Sequence, residues 1–173
     1  SFPTRRSSDL LYAQHTADTG QVFEPEAVAH AWELTRGQPW LVNAIAARCI
    51  DDLLDNDYSR PVTAALVEEA KEALVRERGT HVDSLMERLK EPRVRRVVEP
   101  VILGRDFFFS DFDDDYRYAI DLGLLRENEN HALVPGNPMY AEILLRYLSH
   151  DEQERFYNDY RKPFWLKADG SLD

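Results

Sequence analysis

The candidate metal ligands of this chain are concentrated in one acidic cluster: Asp111, Asp113, Asp114 and Asp115. Carboxylates at alternating positions resemble the start of a calcium-binding loop. Such a loop also needs a glycine at its sixth position and a glutamate at its twelfth, but Tyr116 and Leu122 stand there. The dipole of a helix favours acidic residues at its N-terminus. We therefore expect the cluster to begin a helix, and we predict no metal site.

The remaining reactive side chains do not form a catalytic constellation. The five histidines have neither metal-ligand spacing nor a nucleophile partner in sequence. They are His15, His30, His81, His131 and His150. The single cysteine, Cys49, lies in the apolar stripe of a predicted helix, so we expect it in the core and not as a reactive thiol. A free-standing metal-dependent enzyme is therefore the least supported function, and we predict no catalytic residue.

Helical periodicity dominates the first part of the chain. Pro25 suits the first turn of a helix that Gly37 ends, and a second helix begins around Pro39. Trp32 and Trp40 flank the turn between these helices, and we expect them to lock the two together.

Three more helices follow a turn over residues 56–61. They are predicted to begin after Thr63, at Thr80 and near Val94, with stops at Gly79, before Pro92 and at Gly104. The last of them contains Pro100, which must kink or end it.

The pattern changes after Gly104. Ser110 is predicted to cap a helix over about 111–121, and two short strands at 124–126 and 131–134 surround a polar turn. A strong amphipathic helix then opens at Asn137 and Pro138, and a final helix is predicted around 152–160. The order of helices, hairpin and closing helix predicts a mainly α fold with a winged helix-turn-helix in its second half.

Composition limits the classes of partner. The 173 residues carry a net charge of −11, so the surface repels phosphate backbones over most of its area. One cysteine excludes an internal disulfide framework and fits a reducing compartment, which predicts a cytoplasmic protein. No apolar run of about 18 residues is present, so we predict no membrane span.

Residues 1–10 have a separate explanation. Their sequence, SFPTRRSSDL, is the translation of a common short-read sequencing adapter in one frame. We therefore expect residues 1–10 to be a non-native scar and exclude them from the fold prediction. Without them the net charge is −12, because two arginines and one aspartate are removed. Together with the polar stretch at 168–173, the scar predicts that the chain is a fragment of a longer protein.

Two segments resemble a known family. Residues 35–43, TRGQPWLVN, resemble the glycine-x-proline segment in the helical lid of STAND-type P-loop ATPases, a branch of the AAA-type families. Residues 121–126, DLGLLR, followed by 137–140, NPMY, are similar to the wing and closing helix of bacterial AAA-like ATP-binding proteins. The resemblance covers about residues 11–148, and the lid precedes the winged helix in both.

The resemblance implies a domain order and a set of partners. It implies a lid-type domain over 11–90, a winged-helix domain over 91–149, and a helix with a linker over 150–173. The intact parent would bind ATP or ADP with Mg through a nucleotide-binding core that precedes this chain. In some relatives a nuclease-like domain of the PD-(D/E)XK type follows. The chain would then couple the nucleotide state to partner or interdomain contacts.

The resemblance also implies a nucleotide-binding turn at Gly37, Gln38 and Pro39. In the family the proline packs against the adenine, and a rigid ring at a helix start offers a purine a flat surface. The alternative is that these residues only end one helix and begin the next.

The chain departs from the family in three places. It has no G-x-x-x-x-G-K-[ST] phosphate loop and no strand that ends in an acidic pair. Where many relatives carry a diphosphate-sensing histidine, it has Asn137 and Pro138. We therefore do not expect this chain alone to hydrolyse ATP.

A winged-helix adaptor or a weak DNA-binding module is the alternative function. The helix over 111–121 carries five aspartates against Arg117, which would repel it from a major groove. The segment 88–96 is basic and would either contact phosphates or form a solvated helix face. Protein contact fits this winged helix better than nucleic acid.

Overall fold

The fold, described from a computed structural model over residues 5–77, 80–105 and 114–161, is mainly helical, as predicted. The helices are α1 (Arg5–Thr19), α2 (Pro25–Thr35), α3 (Pro39–Ala47), α4 (Ala64–Glu77), α5 (Thr80–Lys90), α6 (Pro92–Ile102), α7 (Asp114–Asp121) and α8 (Pro138–Arg161). Strands β1 (Leu125–Glu127) and β2 (Leu133–Pro135) pair antiparallel between α7 and α8.

Helix α1 was not predicted from the sequence. Residues 5–10 had been set aside as a scar, and the rest of the segment has no strong apolar stripe. Tyr12 nevertheless anchors the helix, because its ring stacks on Phe23 with the centroids 4.4 Å apart and the side chain is buried. The adapter origin of residues 1–10 stays a prediction.

A buried glutamine holds the long loop between α3 and α4 in place. The amide nitrogen of Gln21 donates to the carbonyl oxygen of Arg60 at 3.0 Å, and its amide oxygen lies 2.9 Å from Nε2 of His15. Phe23 and Val62 form a short parallel bridge beside it. Because buried polar groups need partners, these bonds fix the predicted turn at 56–61 against the start of α2.

The first helical pair follows the prediction closely. Pro25 and Pro39 each stand in the first turn of their helix. Helix α3 continues into a π-helical turn over Arg48–Leu53 that carries Cys49. The cysteine is fully buried, and its Sγ donates to the carbonyl oxygen of Leu66 at 3.4 Å, which confirms its place in the core.

Helices α5 and α6 are also confirmed, with a difference at Pro100. Helix α6 begins at Pro92 and runs two residues beyond Pro100 before it ends. The carbonyl oxygen of Pro100 accepts from the backbone N–H of Arg105 at 2.9 Å, which closes the end of the helix. The predicted stop at Gly79 lies outside the described residues.

Strand β1 begins one residue after its predicted start and strand β2 begins two residues after its predicted start, and each strand ends one residue after its predicted end. Leu125 pairs with Pro135, and Glu127 pairs with Leu133. Leu124 precedes the strand as a buried residue after Gly123, which has a φ of +73°. Of the predicted helix over 111–121, the structure describes the part from Asp114; Ser110 and residues 111–113 lie outside the described residues.

The prediction of a separate final helix around 152–160 was wrong. Helix α8 is continuous from Pro138 to Arg161, because no glycine or proline interrupts residues 149–152. The guanidinium of Arg95 binds the carboxylate of Asp151 at 2.5 Å and holds the middle of α8 against α6. The predicted boundary at 149/150 therefore falls inside a helix.

Helix α8 contacts both predicted domains. It packs against α2, α4 and α5 of the first part and against α6 and β2 of the second. The buried side chains of the described residues form one cluster that includes Leu89 on one side of the boundary at 90/91 and Val94 on the other. The domain division at that position stays a prediction. Among the described helices, none is both long enough and apolar enough to cross a membrane.

Two adjacent leucines of α8 test which face of the helix lies in the core. Leu144 is fully buried, whereas Leu145 is 46% exposed. Leu144→Ala should lower the free energy of unfolding by about 2–5 kcal/mol, because it leaves a cavity in the core. Leu145→Ala should change it by less than about 1 kcal/mol. Urea denaturation of both variants checks this; equal losses would contradict the orientation of α8.

Tyr140 should limit stability at alkaline pH. Burial raises the pKa of Tyr140 to about 12, whereas a tyrosine in an unfolded chain ionises near pH 10. The stabilisation is complete below about pH 10 and is lost as the pH rises through about 12. Tyr140→Phe should reduce this alkaline loss by an amount on the order of 2 kcal/mol.

Tyr58→Phe is the matched control, because Tyr58 is 42% exposed. Denaturation between pH 8 and 12 with tyrosinate absorbance measures both variants. The assignment fails if the two phenylalanine variants have the same alkaline profile.

Candidate functional site

A cavity of about 640 Å³ lies where the α2–α3 turn faces the hairpin and the start of α8. One wall consists of Trp32, Thr35, Arg36, Gln38 and Pro39. The opposite wall consists of hairpin residues 125–130 with Gly123, Gly136 and Asn137. Two of the three residues predicted to bind nucleotide, Gln38 and Pro39, thus line a cavity of the size that small-molecule sites have.

The α2–α3 turn is shaped by two residues of positive φ, Arg36 at 49° and Gly37 at 74°. The hydroxyl of Thr35 accepts from the backbone N–H of Gly37 at 3.1 Å and donates to the carbonyl oxygen of Ala31 at 2.7 Å. A Cβ on Gly37 would lie 2.4 Å from Cζ3 of Trp32. Gly37 is therefore buried behind the cavity wall and lets the indole ring lie directly on the turn.

The hairpin wall depends on a second close approach. The backbone N–H of Gly136 donates to the carbonyl oxygen of Leu124 at 2.8 Å. A Cβ on Gly136 would lie 2.1 Å from the carbonyl oxygen of Gly123. Only glycine fits at this position, so the base of the hairpin closes tightly and leads directly into α8.

Three amide side chains line the cavity, those of Gln38, Asn128 and Asn137. Gln38 accepts from the N–H of Leu41 at 2.9 Å, and Asn137 accepts from the N–H of Tyr140 at 2.8 Å, so each caps a helix. Asn128 accepts from two backbone N–H groups of the hairpin loop, at 2.9 and 3.0 Å. Because each amide oxygen is occupied by a backbone donor, the NH₂ groups are left to donate to a ligand.

Two arginines and two glutamates also line the cavity. Neither Arg36 nor Arg126 forms an ion pair with a described residue, and Nε of Arg126 is buried without a hydrogen-bond partner. Glu127 accepts from the hydroxyl of Tyr116 and lies 3.4 Å from Nδ1 of His131. These hydrogen bonds lower the pKa of Glu127, so its carboxylate is ionised at neutral pH and committed to protein partners. Glu129 is exposed in the loop between the strands.

The acidic cluster forms ion pairs in its described part. Asp114 and Asp115 stand in the first turn of α7, whereas Asp111 and Asp113 lie outside the described residues. Asp115 binds Arg96 at 2.9 Å and Arg93 at 3.4 Å. In the part of the chain that the structure describes, no three His, Cys, Asp or Glu side chains are grouped to hold a metal ion.

The basic segment 88–96 is neutralised within the chain. Arg93 and Arg96 bind Asp115, while Arg95 binds Glu99 at 2.6 Å and Asp151 at 2.5 Å. Arg88 and Lys90 pair with the neighbouring glutamates Glu91 and Glu87. The prediction left phosphate contact and a solvated face open for this segment, and these ion pairs favour a helix face that binds its own carboxylates.

A separate network joins α2, α4 and α8 away from the cavity. Nε2 of His30 lies 2.7 Å from the carboxylate of Glu68, and Lys71 bridges Glu68 and Glu142 at 3.1 Å each. Hydrogen bonds from His30 and Lys71 lower the pKa of Glu68. Each of these side chains has a partner, so the network holds helices together and offers no reactive group.

The sequence predicted one wall of the cavity and missed the other. Asn137 was predicted to open a helix at the position where many relatives carry a diphosphate-sensing histidine, and Arg36, Arg126 and Asn128 were not singled out as site residues. The approach of the hairpin to the α2–α3 turn depends on contacts across about 90 positions of sequence, for which periodicity carries no signal. The amide caps at Gln38 and Asn137 were the one local signal available.

Comparisons with protein-family models, with curated proteins and with solved structures gave no match for this chain. The site is therefore interpreted from its own residues.

Gly37→Ala tests the contact between the turn and the indole ring. The added Cβ would collide with Trp32 in a backbone of positive φ, so we expect a loss of about 3 kcal/mol or more in unfolding free energy. Gly20→Ala is the control, since Gly20 has a φ of +79° and no atom within 4 Å of an added Cβ. It should cost about 1–2 kcal/mol. Denaturant unfolding measures both, and equal costs would argue against the close approach at Trp32.

Proposed function

We propose that this chain supplies the helical lid and winged-helix parts of a cytoplasmic P-loop ATP-binding protein, and that the cavity holds the nucleotide base. One observation carries the proposal. Gln38 and Pro39, selected by their resemblance to the glycine-x-proline segment, line a 640 Å³ cavity whose other wall includes Asn137 at the start of the closing helix. In this proposal the bound nucleotide contacts both walls and so links the position of one wall to the position of the other.

The chemistry of the walls supports a purine. The ring of Pro39 is exposed and Trp32 is half-buried, so both can offer apolar surface to a flat heterocycle. The NH₂ groups of Gln38, Asn128 and Asn137 suit a ligand rich in acceptors, and the ring nitrogens of adenine are acceptors. These features favour a base subsite over a simple helix–helix turn.

The position of the cavity supports a coupling role. The α2–α3 turn belongs to the predicted lid segment 11–90, whereas the hairpin and Asn137 belong to the predicted winged-helix segment 91–149. A base held between them would stabilise one arrangement of the two segments, because a ligand shifts an equilibrium by its differential affinity for the two states. The phosphates and Mg would require a preceding nucleotide-binding core, and we do not propose that this chain hydrolyses ATP.

The electrostatics do not favour DNA binding as the alternative. Helix α7 presents Asp114, Asp115 and Asp121 against Arg117, and the basic segment 88–96 is paired with carboxylates. A winged helix used for protein or interdomain contact is compatible with these charges. Absence of binding to duplex DNA at low salt is the expected result, since low salt maximises contacts with phosphates.

A titration of the full chain with adenosine tests the base subsite. We expect a dissociation constant on the order of millimolar, because the base alone makes few contacts, together with a shift of the Trp32 indole N–H signal. Pro39→Ala should weaken binding by about threefold or more, since it removes the ring but keeps a good residue for the first helical turn.

Pro92→Ala is the matched control, because Pro92 is exposed in the first turn of α6 and does not line the cavity. NMR chemical shifts follow binding in both variants. Adenosine affinity that is equal in the two variants, or no response up to about 10 mM adenosine, would contradict the proposed function.

A further inference from the structure

We infer that the cavity contains an anion subsite, formed by Arg36 and Arg126, that binds a carboxylate or phosphate group of a small ligand. The inference rests on the proposed function only in using the same cavity. It assigns the charge of the ligand, which the base subsite does not determine.

Arg126 supplies the first observation. It lies on β1 opposite Val134, and its Nε is buried without any hydrogen-bond partner among the described residues. One terminal nitrogen reaches only the carbonyl oxygen of Glu127, at 3.5 Å. A buried charged donor without an acceptor is unfavourable, and native structures seldom leave one unpaired unless a ligand or an ion completes the site. The side chain of Arg126 lines the cavity, so an anion bound there would lie beside its guanidinium group.

Arg36 supplies the second observation from the opposite wall. It is the left-handed residue that ends α2, and it lines the cavity. It is exposed and has no carboxylate partner among the described residues. Guanidinium groups bind carboxylates and phosphates with paired N–H donors, so two arginines that line one cavity are suited to an anionic ligand.

These two arginines differ from most others in the described chain. Seven arginines form ion pairs with carboxylates: Arg48, Arg88, Arg93, Arg95, Arg96, Arg105 and Arg146. In a chain of net charge −11, carboxylates are plentiful as partners. The cavity nevertheless holds two guanidinium groups without such partners, which is the arrangement expected where the carboxylate or phosphate arrives with the ligand.

The glutamates of the cavity do not fill this role. Glu127 is held by Tyr116 and His131, and neither Glu127 nor Glu129 lies in an ion pair with Arg126. Glu129 is exposed in the hairpin loop and would oppose an anion at a distance. The donors of Gln38, Asn128 and Asn137 surround the same space, so the hydrogen-bonding groups that remain available in the wall are mainly donors.

Titrations of the full chain with inorganic phosphate and with succinate, each at constant ionic strength, test the inference. The Nε–H signal of Arg126 should shift on binding, and the midpoint of thermal unfolding should rise with anion concentration. Arg126→Met and Arg36→Gln should each weaken anion binding by about tenfold. Arg126→Met should still fold, because it removes a buried donor that lacks a partner.

Two further variants separate a local site from general charge effects. Arg60→Gln removes an exposed arginine outside the cavity and should leave binding unchanged. Glu129→Gln removes the opposing charge and should strengthen binding by a few fold. The preferred anion distinguishes a phosphate ligand from a carboxylate ligand, and either preference supports the subsite.

The subsite is overturned if neither anion shifts the Arg126 signal, or if Arg126→Met and Arg36→Gln bind anions as the unaltered chain does. Adenosine binding without anion binding would leave the proposed function standing and remove this inference. Anion binding without adenosine binding would support this inference and contradict the proposed function.

Discussion

The close approach of Gly123 and Gly136 is the constraint on which the arrangement of the second half depends. The carbonyl oxygen of Gly123 occupies the place that a side chain at 136 would need. This contact closes the base of the hairpin, and Asn137 caps α8 in the next residue. The hairpin thus leads directly into α8 and forms the cavity wall opposite the α2–α3 turn. With a side chain at position 136 the base of the hairpin could not close in this way, and the cavity between the hairpin and the α2–α3 turn would have a different shape.

Most positively charged side chains of the described chain form ion pairs with its own carboxylates. Basic side chains outside the cavity are mostly committed to carboxylates, and several of these pairs join different helices, such as Arg95 with Asp151 and Lys71 with Glu142. Surface ion pairs contribute little stability each, but they restrict where positive charge remains available. Among the side chains that the structure describes, Arg36, Arg60, Arg76 and Arg126 have no such partner, and Arg36 and Arg126 line the cavity.

Local sequence signals predicted most helices, and the family resemblance predicted two residues of one cavity wall. Proline at helix starts, Thr63 and Asn137 as caps, and apolar stripes such as Val82, Leu85 and Leu89 are local, so α2 to α6 were predicted nearly to their ends. The prediction divided α8 into two helices because the middle of the helix is polar. The ion pair between Asp151 and Arg95 of α6 holds that part in place, and the sequence does not reveal this pair. The cavity requires residues about 90 positions apart to meet, and only the tertiary structure brings them together. The resemblance to a P-loop family singled out Gln38 and Pro39, but it could not indicate what faces them.

Helix α8 connects the cavity wall to a distant part of the molecule. At about 1.5 Å per residue, its 24 residues extend roughly 36 Å from the cavity wall. The helix is continuous over this length, so a change in the position of its first turn would be passed along the backbone to residues far from the cavity. A ligand beside Asn137 would lie at the start of α8, and the same helix contacts α2, α4 and α6. Because Leu144 and Leu148 of α8 are fully buried, any displacement of the helix would also move the core residues packed around it.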